Sequence, residues 1–180
     1  TVTLKSAIDL SKFAVKGMAA SGGFIGKATG LTLTQANGAK FTCPATVGDA
    51  ASQSSGGFIG DVSFAAEAAF TGSDQIDTGD GVTLAAAADK GAGAAFGTLT
   101  YADSSKAVSF TGGTFKSAYG NGGSTASYGG LVGMIVGAAG SRANKQAPST
   151  LKVEGTSTEL SIEGATKFTG GVAGWLGHTE

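Results

Sequence analysis

The sequence predicts an all-β chain, a right-handed parallel β-helix (β-solenoid) with about one coil per 34–41 residues, in which residues 1–180 form a single domain. Three observations predict it. A Gly-rich pentapeptide occurs five times, apolar side chains alternate with others after each copy, and glycine is abundant while charge is sparse.

The pentapeptide is Gly22-Gly23-Phe24-Ile25-Gly26. It returns as Gly56-Gly57-Phe58-Ile59-Gly60, loosely as Gly93-Ala94-Ala95-Phe96-Gly97, then as Gly129-Gly130-Leu131-Val132-Gly133 and Gly170-Gly171-Val172-Ala173-Gly174. The start-to-start intervals are 34, 37, 36 and 41 residues. At such periods each unit buries its apolar face only against its neighbours, as in a solenoid.

Alternate side chains of a strand point to opposite faces. Counted from the third pentapeptide position, one face carries Phe24, Gly26 and Ala28; Phe58, Gly60, Val62 and Phe64; Ala95, Gly97, Leu99 and Tyr101; Leu131, Gly133, Ile135 and Gly137; and Val172, Gly174 and Leu176. It is apolar or glycine throughout and is the expected repeat core. The fourth position, Ile25, Ile59, Phe96, Val132 and Ala173, is also apolar every time, although alternation turns it outward. A loop or short helix is expected to cover this column, because a bare apolar ladder invites association.

Further strand-like runs lie at 1–4, 31–34, 39–43, 81–84, 107–111, 151–153 and 159–162, and Phe-Thr recurs at Phe41, Phe70, Phe110 and Phe168. About three strands per coil are therefore expected, with Gly, Ser, Asn and Asp at the corners. Residues 6–18 place Leu10, Phe13, Ala14 and Met18 at helical spacing, and 85–88 is rich in Ala. The 6–18 segment reads either as a helix or as an earlier, decayed repeat.

Composition sets the boundaries of the reading. Thirty-two glycines are more than twice an average share of about 7%, and the 14% of charged residues compares with about 25%. Hydrophobic residues at 41%, with ten Phe, are too many for a disordered chain. The net charge of -1 offers no footprint for nucleic acid. Cys43 is alone, which rules out an intrachain disulfide, and a small buried side chain is expected there. No signal peptide starts the chain and no run of about 20 apolar residues spans a membrane, the nearest candidate at 131–139 being too short. The chain opens inside a strand-like run and stops soon after a pentapeptide, so a segment of a longer protein is expected.

These pentapeptides, with 56–64 and 22–43 matching best, resemble the GLUG-type repeat of large bacterial surface proteins. Ala94 departs from that pattern. The resemblance implies an extracellular protein, at the bacterial cell surface or in the cell wall, concerned with adhesion or surface architecture. It carries over no catalytic residue.

Catalytic chemistry finds little footing. A Ser-His-Asp or Cys-His arrangement needs a positioned imidazole, and the only one is His178, near the end. The acids are scattered rather than clustered as a β-helix glycosidase or lyase requires. No Walker Lys accompanies the many Gly-x-Gly strings. The chain is read as no enzyme, with no cofactor beyond a candidate calcium loop: Asp74, Asp77 and Asp80 stand at intervals of three and could offer hard oxygen ligands. The local Thr-x-Thr runs Thr1/Thr3, Thr32/Thr34 and Thr98/Thr100 raise ice binding, but they fall at different offsets from the pentapeptide.

The expected role is a structural or adhesive segment forming a rigid stalk or scaffold. The alternative is an adhesin module that binds host glycan or protein through an exposed face. Aromatics on an outer groove would favour the adhesin, and aromatics packed inside the stalk. The expected partners are neighbouring repeats or domains of the same protein, with end-to-end self-association because an uncapped solenoid exposes strand edges and core.

Overall fold

The computed structural model describes residues 1–17, 19–101, 107–120, 126–137, 150–162 and 166–178. The backbone winds as an all-β solenoid of about four turns, and every strand pair among the described residues is parallel.

Three walls are described as five-stranded sheets. The first comprises Ser21–Gly22, Ser54–Gly56, Gly91–Gly93, Ser127–Gly129 and Phe168–Gly170. The second comprises Ile25–Leu31, Ile59–Phe64, Phe96–Tyr101, Val132–Gly137 and Ala173–His178. A third, closing wall comprises Ala14–Val15, Thr46–Val47, Val82–Leu84, Thr114–Tyr119 and Ser157–Ile162. Between the second and the closing wall lie the sheet of Ala68–Thr71, Ala107–Thr111 and Thr150–Glu154, the shorter sheet of Ile8–Asp9, Phe41–Thr42 and Ile76–Asp77, and the pair Val2–Leu4 with Leu33–Gln35. A turn thus carries four or five short strands rather than three. At the corner before Thr114–Tyr119, Gly112 and Gly113 have φ of 67° and 76°, a left-handed pair that L side chains resist.

The pentapeptide is the corner between the first and second walls. Its first glycine ends one strand, the chain bends at positions two and three, and the next strand starts at position four. The pentapeptides stack one above another: Ile25, Ile59, Phe96, Val132 and Ala173 form one column of paired residues. The third-position carbonyl of each turn accepts two N–H groups from the turn before. Phe58 O accepts from Phe24 and Ile25 (2.9 and 3.3 Å), Ala95 O from Phe58 and Ile59 (3.1 and 3.0 Å), Leu131 O from Ala95 and Phe96 (both 3.0 Å), and Val172 O from Leu131 and Val132 (both 3.0 Å). This satisfies backbone donors that a bend would otherwise leave unpaired in the interior.

The glycines of this corner supply space. None has φ in the left-handed region. A Cβ on Gly56 would overlap the Ile59 carbonyl oxygen and lie 2.7 Å from Gly97 N, and Gly22 and Gly129 are confined in the same way. A Cβ on the fifth-position Gly60 would lie 2.7 Å from Ser21 O, and one on Gly174 2.7 Å from the Tyr128 backbone. The two walls therefore approach backbone to backbone. Position two is confined in the same way in three copies, where a Cβ on Gly23, Gly57 or Gly130 would overlap the carbonyl oxygen of Gly57, Ala94 or Gly171, whereas the third copy accommodates a buried Ala94.

Inside, phenylalanines from different walls and turns form a continuous aromatic column. Phe24 and Phe58 stack with ring centroids 5.2 Å apart and an interplanar angle of 2°. Phe41 meets Phe58 at 5.1 Å, Phe70 meets Phe96 and Phe110 at 5.5 Å each, and Phe110 meets Phe115 edge-on at 5.7 Å. Each fully buried ring contributes on the order of 1.5–3 kcal/mol by leaving water, and tilted or offset pairs add about 0.5–1.5 kcal/mol.

Several expectations need correction. The fourth-position column does not face outward under a covering loop: Ile59, Phe96 and Val132 are fully buried, and Phe96 lies 5.8 Å from Phe64 by ring centroid. Strict alternation fails there because the bend turns positions three and four inward together. Residues 6–17 are not helical. They hold the strands Ile8–Asp9 and Ala14–Val15, which pair with Phe41–Thr42 and Thr46–Val47, and so form an earlier turn; Met18 lies outside the described residues. The Ala-rich 85–88 is likewise not helical, and the helical turn among the described residues is Gly72–Gln75. The Phe-Thr dipeptides lie in more than one column: Phe70 pairs with Phe110, Phe41 stands opposite Ile76 and Phe168 opposite Ser127.

Of the expected repeat core, Phe58, Val62, Leu99 and Leu131 are fully buried and Phe64 and Ile135 nearly so, Phe24 is half-buried in the first turn, and Val172 is exposed in the last.

Two substitutions test the corner and the column by chemical denaturation. Gly56→Ala is expected to lower stability by about 1–3 kcal/mol through overpacking. Gly171→Ala, whose added methyl would meet Thr158 at 3.9 Å, is expected to stay within about 0.5 kcal/mol of the parent. Phe58→Ala is expected to lose about 3–5 kcal/mol; a shift under about 1 kcal/mol would refute the aromatic column as the source of stability.

Candidate functional site

Two places on the outer surface gather charge. The first is the loop with the three aspartates. Asp74 lies in the helical turn Gly72–Gln75, Asp77 in the strand Ile76–Asp77, and Asp80 just before Val82–Leu84. The Asp77 carboxylate is engaged on both oxygens: Oδ2 accepts from Lys40 Nζ at 2.8 Å and Oδ1 from Gly79 N at 2.8 Å. Burial pushes this carboxyl up, but the Lys40 ammonium and the Gly79 N–H outweigh it, and the net value lies below the ordinary aspartate value. Lys40 is raised by the same hydrogen bond and charge. Among the described residues no three of His, Cys, Asp or Glu are placed to hold a metal ion together.

The second place is a groove of about 410 Å³ on the closing wall, lined by residues of three successive turns, among them Asp80, Thr83, Lys116, Glu159 and Ser161. Lys116 Nζ and Glu159 Oε2 are 3.5 Å apart, and Lys116 N donates to Thr78 Oγ1 at 2.8 Å. The strand register explains the gathering: Lys116 stands opposite Glu159, and Ser117 opposite both Val82 and Leu160. Among the described residues no aromatic side chain lines the groove. Sequence reading missed this site, because its members are 36 and 43 residues apart and share no motif; the available signal was the repeat interval itself.

The interior holds polar groups in satisfied pairs. Tyr128 Oη and Ser117 Oγ are 2.7 Å apart, Ser54 Oγ donates to Gly60 O at 2.6 Å, and Ser52 Oγ donates to Gly17 O at 2.7 Å. Every buried side-chain N or O atom among the described residues has a partner. Cys43 is buried, and burial pushes its thiol well above the ordinary range. The His178 backbone pairs with Gly137 at the end of the last strand; its side chain lies outside the described residues. Thr3 and Thr34 pair across one sheet, with hydroxyls 3.0 Å apart, whereas Thr98 stands opposite Asp61 and Met134 in another. The Thr-x-Thr runs therefore do not merge into one array. No helix among the described residues is long and apolar enough to cross a membrane.

Comparison with protein-family models, with curated proteins and with solved structures finds no match for the chain.

The Lys40–Asp77 pair predicts a pH dependence. Its folded carboxyl holds a proton less tightly than the unfolded one, so it stabilises the fold above the ordinary aspartate pKa of 3.8 and that contribution is lost as pH falls through the lowered folded value. Asp77→Asn is expected to flatten part of the acid limb of a Tm-against-pH curve. Cys43 is expected to resist thiol reagents in the native protein and to react only at the rate of unfolding, as mass spectrometry after timed labelling would record.

Proposed function

We propose that the chain is a structural segment of a bacterial surface protein, of the GLUG-type repeat class, whose stacked turns form a rigid scaffold or stalk. The observation that carries the reading is the unbroken series of corner hydrogen bonds from Phe24 to Val172, which makes each turn the template for the next. A ribbon joined along its axis in this way extends without bending and holds its two ends a fixed distance apart. The disposition of aromatics supports the stalk over an adhesive face. The large exposed apolar residues among the described ones are Phe13, Val153, Ile162, Phe168, Val172 and Leu176, all in the first or last turns, while Phe41, Phe58, Phe96, Phe110 and Phe115 are fully buried.

A second reading, an adhesin that recognises host glycan or protein, has one observation in its favour: the groove at Thr83, Lys116 and Glu159, which combines hydroxyls with both signs of charge. Calcium at the Asp74–Asp80 loop, if bound in either case, would stiffen the loop by displacing Lys40 from Asp77 and would do no chemistry.

Arrays of immobilised glycans and matrix proteins, probed with the purified chain, separate the two readings. The scaffold reading expects no saturable binding. Saturable binding abolished by Lys116→Ala would replace it with the adhesin. Calorimetric titration with calcium, repeated on Asp77→Ala, tests the loop; heat in the parent that the variant lacks is the result expected of a calcium site.

A further inference from the structure

The β-turn that joins Leu33–Gln35 to Phe41–Thr42 holds a side-chain amide next to a glycine in the open. Ala39 N donates to Ala36 O at 3.0 Å across it, and Asn37 and Gly38 are its exposed central residues. Gly38 has φ of 76°, as the third position of a type II β-turn requires, and nothing lies within 4 Å of where its Cβ would stand. Its N–H has no hydrogen-bond acceptor among the described residues. The flanks, by contrast, are fixed. Ala36 N donates to Leu4 O at 2.9 Å, Ala39 is buried, Lys40 O accepts from Ile8 N at 2.9 Å, and Phe41 is fully buried in the aromatic column. Asp80-Gly81 has the same order of residues in a different setting: Gly81 N donates to Thr78 O at 2.9 Å, and an ionised carboxylate resists a nucleophile that an amide accepts. Asn121-Gly122 lies outside the described residues.

We infer that Asn37 is a site of spontaneous modification, at which the native chain converts its own side-chain amide into aspartyl and isoaspartyl linkages and so loosens the fold at this β-turn. Hydroxide takes the Gly38 N–H proton, and the nitrogen attacks Asn37 Cγ. The new bond closes a succinimide ring as the bond from Cγ to the side-chain nitrogen breaks and ammonia leaves. Water then opens the ring. Attack at Cγ restores the ordinary peptide as aspartate, and attack at the main-chain carbonyl carbon leaves the chain running through Cγ as isoaspartate. Ring closure needs the peptide plane between 37 and 38 to rotate, which opens the hydrogen bond from Ala39 N to Ala36 O, and the absent side chain of Gly38 leaves that rotation unobstructed. Isoaspartate then adds one carbon to a main chain whose two flanks are pinned to neighbouring turns, so the extra length is absorbed within 36–39 and the β-turn hydrogen bond is lost. The inference stands on this β-turn and does not rest on the scaffold reading.

Native protein and protein unfolded in urea, held side by side at mildly alkaline pH, test it by tryptic mapping with fragmentation that distinguishes the two linkages. Asn37 falls in the peptide 28–40, apart from Asn121 in 117–142. In the native protein the peptide 28–40 is expected to gain aspartate and isoaspartate together, at a rate within about tenfold of the unfolded chain's, the cost of opening one backbone hydrogen bond. Asn37→Gln is expected to lose the signal, because the longer side chain has to close a larger ring. The isoaspartyl fraction is expected to melt about 2–4 °C below the parent, the shift that one lost backbone hydrogen bond gives in a chain of this length. A peptide 28–40 that keeps its amide in the native protein while the unfolded chain converts, aspartate without isoaspartate, isoaspartate at Asp80 ahead of Asn37, or an isoaspartyl fraction that melts with the parent would each overturn the proposal.

Discussion

The structure depends on one repeated contact, a third-position carbonyl that takes two N–H groups from the turn before it. A solenoid must bend sharply at each corner, and a bend interrupts the regular ladder that satisfies backbone polar groups. Here the interruption is repaired between turns rather than within one. The repair demands that successive corners be nearly identical and that they stand close, which is why the flanking positions tolerate almost nothing but glycine. The pentapeptide is thus a steric specification: absent side chains where the walls touch, and large apolar ones where the bend opens onto the core.

The aromatic column follows from that geometry. Where the corner opens, positions three and four both reach the interior, and rings arriving from the other walls close the space. Phe58 is held by Phe24 from the preceding turn and by Phe41 and Phe70 from other sheets. Toward the later turns the filling changes to Tyr119 and Tyr128, with centroids 5.5 Å apart, and the phenol of Tyr128 is accommodated by Ser117. A polar tip inside an apolar stack is tolerated because its hydroxyl has a partner.

Such an architecture separates stability from surface chemistry. Stability resides in columns that run along the axis, and each outer position can vary so long as its neighbours above and below remain compatible. Outer ion pairs accordingly run between turns, Lys27 with Asp61 at 2.9 Å and Lys40 with Asp77 at 2.8 Å, and being partly exposed they add little to stability while favouring one register over its neighbours.

The repeat, its period, the all-β character and the stacking of the five pentapeptides were legible in the amino-acid sequence, because a solenoid is held by nearest-neighbour contacts and identical neighbours must recur at a fixed interval. The burial of Val62 and Leu99 followed from alternation within straight strands. Only the tertiary structure decided the outcome where strands are not straight. It turned Ile59 and Phe96 inward at the bend, drew 6–17 into two short strands by pairing them with a later turn, and committed Asp77 to Lys40. It also assembled Asp80, Lys116 and Glu159 into one groove. Those outcomes depend on which residues lie one turn apart, and the loops between strands vary in length, so the interval in sequence does not by itself state the partner in space.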